Sequence, residues 1–365
     1  MPFEREQASN FGAGPAAIPT PVLEQAQAEL LNFRGTGMSI MEISHRNQAY
    51  AKVQEEAEAS LRDLLSIPTN YRVLFLQGGA SLQFSMIPMN WLSAGQTAGY
   101  VLTGSWSEKA QKEAALFGTV RVAASTKEEG YKRIPNVQEI ALDANDRYLH
   151  ITSNNTIFGS QWAEYPDTGH VPLIADMSSD ILSRPIPVEK FGLIYAGAQK
   201  NLGPSGLTVV IVRDDLVEAA NKELPTMLRY DIHAKNDSRY NTPPTFGIYM
   251  LSLVLQWAKE RGGVSAIARE NEAKAGLIYD AIDNSQGFYN GYVAPDSRSK
   301  MNVTFRLATE ELEKVFLDEA KASGLIGLNG HRSVGGCRAS LYNAVSIKDC
   351  ERLAAFMLDF QKRNG

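Results

Sequence analysis

Apolar residues along this chain fall into short unbroken runs, separated by stretches in which they recur every three or four positions. The runs at 73–76, 100–102, 149–152, 173–175, 193–195 and 208–212 are apolar at nearly every position, and each ends in a turn rich in Gly or Ser. A strand with one wet face alternates, whereas a strand buried on both faces does not. These runs therefore predict strands of a sheet covered on both sides. Between them, Val53, Ala57, Leu61 and Leu64 are spaced by four, four and three, which predicts a helix that stops before Pro68. A second helix is predicted over 82–92, after Gly78 and Gly79, with Pro88 kinking or shortening it. Strand and helix in alternation predict a parallel α/β sheet with right-handed crossovers, whose ligands sit beyond the carboxyl ends of the strands.

The pattern changes near residue 265. A helix is predicted over 274–282, a half-buried strand over 301–307, and amphipathic helices over 310–322 and 346–361. The last opens with Ser346 and Asp349 at capping-box spacing. This part reads as a smaller α+β domain. Residues 239–246, RYNTPPTF, form an extended Pro-rich loop inside the larger part. No internal repeat or low-complexity segment interrupts the chain.

Composition narrows the function. The 365 residues are 44% hydrophobic and 21% charged, which fits a folded chain and excludes disorder. Lys and Arg number 36 against 41 Asp and Glu, a net charge of −5, so a basic footprint for sequence-independent nucleic-acid binding is lacking. Anionic small ligands need only a few placed arginines and stay open. The two cysteines, Cys337 and Cys350, cannot form a disulfide framework and fit a reducing compartment. No Cys and His cluster has zinc-ligand spacing, so no metal is expected. The N-terminal stretch lacks a basic segment followed by an apolar run, and no stretch of about 18 apolar residues exists. The expected location is the cytoplasm.

Candidate chemistry sits at the ends of the apolar runs. Lys200 lies in YAGAQKNLGPSG, a small-residue turn after the run at 193–195. A lysine in a cramped turn is either a surface residue or an amine used as a nucleophile, as in a Schiff base to pyridoxal 5′-phosphate (PLP). Asp176 ends the run at 173–175, 24 residues upstream. It is either a cap for the following turn or the acid that PLP needs at its pyridine nitrogen. The segment QGGASLQF follows a strand and opens a helix, so the N–H groups around Gly79, Ala80 and Ser81, with the Ser81 hydroxyl, could hold a phosphate; otherwise it is a plain turn. Trp106 in TGSWS could stack on a pyridine ring or belong to the core. Thr156 in SNNTIFG could donate to the ring's phenolic oxygen or be a loop threonine. Asn241 to Thr245 offers polar groups on a stiff loop or is a connector.

The ordered motifs GGASLQF, TGSWS, SNNTIFG, ADMSSD, AGAQKNLGPSG and NTPPT, flanked by FGAGPAAIP and GGCRASLYNA, closely resemble the fold-type I, class V PLP-dependent aminotransferases, and among them those that act on phosphoserine. The likeness covers essentially the whole chain. It implies a large PLP-binding α/β domain over 16–264, with a mostly parallel sheet flanked by helices, and a small α+β domain built from 1–15 and 265–365. It implies Lys200 as the Schiff-base lysine, Asp176 against the pyridinium, Trp106 stacked on the ring, and Thr156 and Gln199 around the phenolic oxygen. Gly79, Ala80 and Ser81 would hold the cofactor phosphate, and Asn241 and Thr242 would reach it from the partner in a homodimer. In the family, positions matching Arg338 grip the α-carboxylate, and those matching His45, Arg46, His331 and Arg332 hold the substrate phosphate or the distal carboxylate of glutamate. The implied reaction is reversible transamination between O-phospho-L-serine and 2-oxoglutarate in serine biosynthesis, with a phosphorylated hydroxythreonine of pyridoxine biosynthesis as a further candidate. One departure is Ser81, where some relatives carry arginine. A glyoxylate-type class V aminotransferase is the alternative; it shares Lys200 and Asp176 but has no need of the two His-Arg pairs.

Overall fold

The computed structural model describes residues 3–365. Seven strands make its central sheet: β1 (Tyr71–Leu76), β2 (Thr97–Leu102), β3 (Thr119–Ser125), β4 (Leu149–Thr152), β5 (Leu173–Asp176), β6 (Leu193–Gly197) and β7 (Thr208–Arg213). Their spatial order is β1-β7-β6-β5-β4-β2-β3. Neighbours from β6 through β3 pair in parallel, while β7 runs antiparallel to both β6 and β1. The link from β6 to β7 is too short for a crossover helix, so β7 must return antiparallel. Strands β4, β5 and β6 are buried at every position, which is why they read as unbroken apolar runs. Strand β3, TVRVAAS, carries no such run because it is the exposed edge, and the apolar pattern did not predict it.

Helices that cover the sheet and build the C-terminal part include α1 (Gln48–Leu65), α2 (Gly79–Trp91), α3 (Ser105–Ala114), α4 (Thr245–Glu260), α5 (Gly263–Asp283), α6 (Glu310–Ala322) and α7 (Ile347–Asn364). Helix α1 buries Tyr50, Val53, Ala57, Leu61 and Leu64 and closes on Ser66 in the left-handed region, two residues before Pro68. Helix α2 runs through Pro88 and ends at Trp91. Pro88 lies in the last turn and forgoes a single ladder bond, while its own carbonyl accepts from the Leu92 N–H at 2.8 Å, so the helix is not cut short there. Helix α7 has the expected reciprocal cap: Asp349 N–H donates to Ser346 Oγ at 3.2 Å, and Ser346 N–H donates to Asp349 Oδ2 at 2.9 Å.

A second sheet, β8 (Asn290–Gly291), β9 (Asn302–Arg306) and β10 (Cys337–Ser340), is antiparallel in the order β8-β9-β10. The N-terminal Ser9–Asn10 pairs in parallel with Leu325–Ile326, and Phe11 packs in the same apolar cluster as Phe305, Phe316 and Phe360. Helix α5 crosses residue 265 and serves both cores: Val264 and Ile267 pack with the large sheet, Ala275, Ile278 and Ile282 with the small one. On its buried side the Lys274 ammonium donates to the carbonyls of Leu341, Tyr342 and Val345 at 3.0, 2.9 and 2.9 Å, pinning the loop after β10 to the helix.

Candidate active site

A cavity of about 260 Å³ opens where the carboxyl ends of β4, β5 and β6 meet the first turn of α2. Gly79, Ala80, Ser81, Trp106, Thr156, Asp176, Gln199 and Lys200 all line it. These residues span more than a hundred positions of the chain, and the parallel sheet brings them to one crevice.

Lys200 sits in the β6–β7 link, which is closed by the Ala198 N–H donating to the Leu207 carbonyl at 2.9 Å. Its Nζ donates to Thr156 Oγ1 at 2.6 Å. Burial pushes the amine down to about 8; the nearby Asp176 carboxylate opposes this, the Arg338 charge adds to it, and Asp180 opposes it. At neutral pH such an amine is a far better nucleophile than a surface lysine.

Asp176 ends β5 and is buried. Its Oδ1 accepts from the Ser178 N–H at 2.9 Å and the Ser178 hydroxyl at 2.6 Å. The carboxylate thus caps the backbone two residues on, as its capping alternative required, while still facing the cavity. Burial pushes its carboxyl up; the Ser178 hydroxyl, the Lys200 charge, the Ser178 N–H and the Tyr195 hydroxyl all pull it back.

The floor of the cavity is the start of α2. Gly78 precedes it with φ +88°, and a Cβ there would stand 2.5 Å from Leu82 Cδ2, so glycine is required for this entry. The first-turn N–H groups of α2 have no partner within the helix and are available to an anion. Trp106 stands in the first turn of α3, its buried Nε1–H without a partner and the Lys109 Nζ 4.4 Å from its ring centroid. The donor set fits PLP: an amine for its aldehyde, a carboxylate for its ring nitrogen, an indole face for the ring and free N–H groups for the phosphate.

The substrate candidates are more scattered. Arg338, on β10, does not line the cavity itself but bonds a residue that does: Nη1 donates to the Thr156 carbonyl at 3.0 Å, and its buried Nε is unpartnered; burial pushes the guanidinium down. His331 and Arg332 line an open groove with Arg306 and Glu313. Burial pulls His331 down, and the charges of Arg338, Arg332 and Lys109 add to this, so a cationic field runs from the groove towards Arg338. His45 and Arg46 sit in the turn before α1 and do not line the cavity of their own chain; His45 Nε2 is buried without a partner and Arg46 is exposed. Asn241 and Thr242 also lie outside it, on the loop entering α4, where the Thr242 carbonyl accepts from Gln77 Nε2 at 3.2 Å.

Three features escaped the residue patterns. Ser178 orients Asp176, but a serine in MSSD carries no signal of its own. Tyr195 looks like any strand aromatic. The segment GAGP crosses directly over the lysine: a Cβ on Gly14, which has φ +140°, would lie 3.5 Å from Lys200 Cγ, and Ala16 N–H donates to the Gln199 carbonyl at 2.9 Å. Its two glycines were a usable sign of close backbone approach.

Comparison with known proteins agrees with this geometry. The profile of the family described as aminotransferase class-V matches residues 9–353. The chain is similar to the phosphoserine aminotransferase of Lysinibacillus sphaericus (strain C3-41), 65% identical over 98% of this chain and 99% of that one. Its fold is similar to that of the phosphoserine aminotransferase from Bacillus circulans subsp. alkalophilus, at 61% identity and TM-score 0.97 over 99% of this chain and 100% of that one. It is also similar to the PLP-bound phosphoserine aminotransferase from Trichomonas vaginalis, at 39% identity and TM-score 0.91 over 96% and 99% of the two chains. With a family profile that runs through almost all of both sheets and a cavity built around Lys200 and Asp176, this chain belongs to the class-V aminotransferases.

Proposed function

We propose that this chain is a PLP-dependent enzyme that transfers the amino group reversibly between O-phospho-L-serine and 2-oxoglutarate, giving 3-phosphohydroxypyruvate and L-glutamate. The observation that carries the reading is the meeting of Lys200, Asp176 and the N-terminus of α2 in one cavity, with Arg338 bonded to its lining residue Thr156 and the His331–Arg332 pair beyond it. Full-length relatives named for phosphoserine support the substrate.

Bound PLP supplies an electron sink that stabilises negative charge at the substrate Cα. The chain's own groups do the rest. Asp176, ionised, holds a proton on the ring nitrogen. Ala80, Ser81 and Gly79 hold the cofactor phosphate, and Trp106, Thr156 and Gln199 fix the ring. Lys200 would serve as the base that takes the substrate Cα proton and as the acid that gives it back; an amine near 8 suits both tasks. Thr156 Oγ1 keeps its Nζ aimed. Arg338 grips the α-carboxylate common to both amino acids, so the two substrates occupy the same place in turn, which predicts ping-pong kinetics.

Two observations support a homodimer. Asn241 and Thr242 do not line their own cavity, as residues reaching a partner's cofactor phosphate should not. Leu31 and Met41 are 85% and 55% exposed, a poor arrangement for an isolated chain. On this reading His45 and Arg46 also serve the partner's site. The division into domains at 1–15 plus 265–365 and 16–264 is supported by the separate apolar clusters, and work in the cytoplasm by the two buried free thiols.

The test is the visible spectrum of the PLP-loaded protein during additions of O-phospho-L-serine, L-serine and L-alanine in separate samples. Conversion by phosphoserine alone, reversed by 2-oxoglutarate, is expected. An equal response to the unphosphorylated amino acids would sink phosphate recognition and favour a glyoxylate-type activity.

A further inference from the structure

Next to Asp176 a row of polar rings crosses the sheet. Tyr100 on β2 is in register with His150 on β4, and Asp176 on β5 is in register with Tyr195 on β6. All four side chains are buried. His150 Nε2 is 3.0 Å from the Tyr195 hydroxyl. The Tyr100 ring stacks on the imidazole with centroids 4.9 Å apart, and its hydroxyl bonds that of Tyr148 at 2.9 Å. Polar groups in a dry sheet face are costly unless each finds a partner, and an apolar core here would have packed as well.

The hydrogen bonds have a direction. His150 Nδ1 is buried with no partner. A buried orphan N–H costs more than a buried orphan lone pair, so the proton belongs on Nε2 and Nδ1 is bare. Burial holds the ring neutral, down at about 3. Nε2–H then donates to the Tyr195 oxygen, and the Tyr195 O–H is left to point at its cross-strand neighbour. Burial pushes the Tyr195 hydroxyl far up, so it stays a donor. The other groups around Asp176 are Ser178, which donates twice to Oδ1, and Lys200.

We infer that Tyr195 and His150 are positioning residues for the transamination: His150 Nε2–H fixes the Tyr195 hydroxyl and turns its O–H towards Asp176, its neighbour in register, so that the carboxylate yields the shared proton to the cofactor ring. This rests on the function proposed above. The physical need is plain. A buried carboxylate facing a ring nitrogen competes with it for one proton. Each donor to the carboxylate lowers its basicity, so the proton stays on the ring, where the electron sink requires it. No proton is transferred along the row; its role is to set where one proton rests.

Two measurements test this. In the cofactor-free protein, histidine side-chain ¹⁵N spectra, assigned with His150→Gln, should show His150 neutral with its proton on Nε2; a proton on Nδ1 overturns the direction of the row. In protein reconstituted with PLP labelled with ¹⁵N in the ring, Tyr195→Phe should move the ring signal towards the unprotonated position. Its kcat should fall on the order of 10-fold, with KM for phosphoserine little changed, since the carboxylate loses a polar neighbour that lowers its basicity. His150→Leu should shift the signal the same way by less. His150→Gln, which offers an N–H near the place of Nε2, should restore it. A ring signal unmoved in Tyr195→Phe with cofactor bound overturns the inference. Failure of wild-type protein to bind the labelled PLP covalently would instead refute the proposed function.

Discussion

The amine of Lys200 offers the most direct test of the site, because burial sets its chemistry before any substrate is present. An ordinary lysine titrates near 10.5, and burial brings this one down to about 8. At pH 7 an amine at 8 is neutral in about 9% of molecules and one at 10.5 in about 0.03%, a gain of about 300-fold in nucleophile. The neutral form attacks, so covalent attachment of PLP to the cofactor-free protein should speed up tenfold per pH unit below 8 and level off above it. Stopped-flow absorbance follows the rate, and borohydride trapping with peptide mass analysis places the adduct on Lys200. The charges around the amine predict how the inflection moves. Arg338→Gln removes a neighbouring cation and should raise it; Asp176→Asn removes an anion and should lower it further. The same difference is a folding cost. The unfolded chain keeps its proton up to about 10.5 while the folded chain releases it near 8, so stability of the cofactor-free protein should rise between these values. Lys200→Met removes that cost and should stabilise this form at pH 7 by up to about 3 kcal/mol, less the bond to Thr156. An attachment rate that keeps climbing tenfold per unit to pH 10 would refute the buried environment of Lys200.

Three further outcomes follow from packing and pairing. Lys274→Met strands three carbonyls that share one buried ammonium, so urea unfolding should show a loss of about 2–4 kcal/mol with the m-value unchanged. Gly104→Ala places a Cβ 2.7 Å from Asn155 Oδ1 at an extended backbone position, so the cost is collision rather than strain; about 1–3 kcal/mol is expected, with altered Trp106 fluorescence. If the proposed homodimer forms, Asn241→Ala should weaken PLP binding, and mixing it with Lys200→Ala should give hybrids with one wild-type site; hybrids with no wild-type site would place Asn241 at its own chain's cofactor instead.

Much of this protein was legible along the chain. Strands β4, β5 and β6 are dry on both faces, so their residues had no choice but to be apolar, and the runs marked them. Helix α1 and the capped start of α7 followed from spacings of three and four and from two side chains that bond their own backbone. Lys200 and Asp176 stood out because a charged residue at the end of a buried run is costly and so calls for a partner. These are local demands, met within a few residues, and a sequence records them.

The tertiary structure decided the rest. Strand β3 is an exposed edge, so no burial pattern had to mark it. The antiparallel turn of β7 depends on the length of a link, not on the character of its residues. That Arg338 reaches the Thr156 carbonyl, that Tyr195 lies in register with Asp176, and that His150 bonds the Tyr195 hydroxyl all depend on strand order and register across the sheets. Serine, tyrosine and histidine in a strand have many uses, and only their neighbours across the sheet select one. Asn241, Thr242, His45 and Arg46 stand outside their own cavity for the same reason: a position along the chain fixes what a residue can do, and the space it folds into fixes what it can reach.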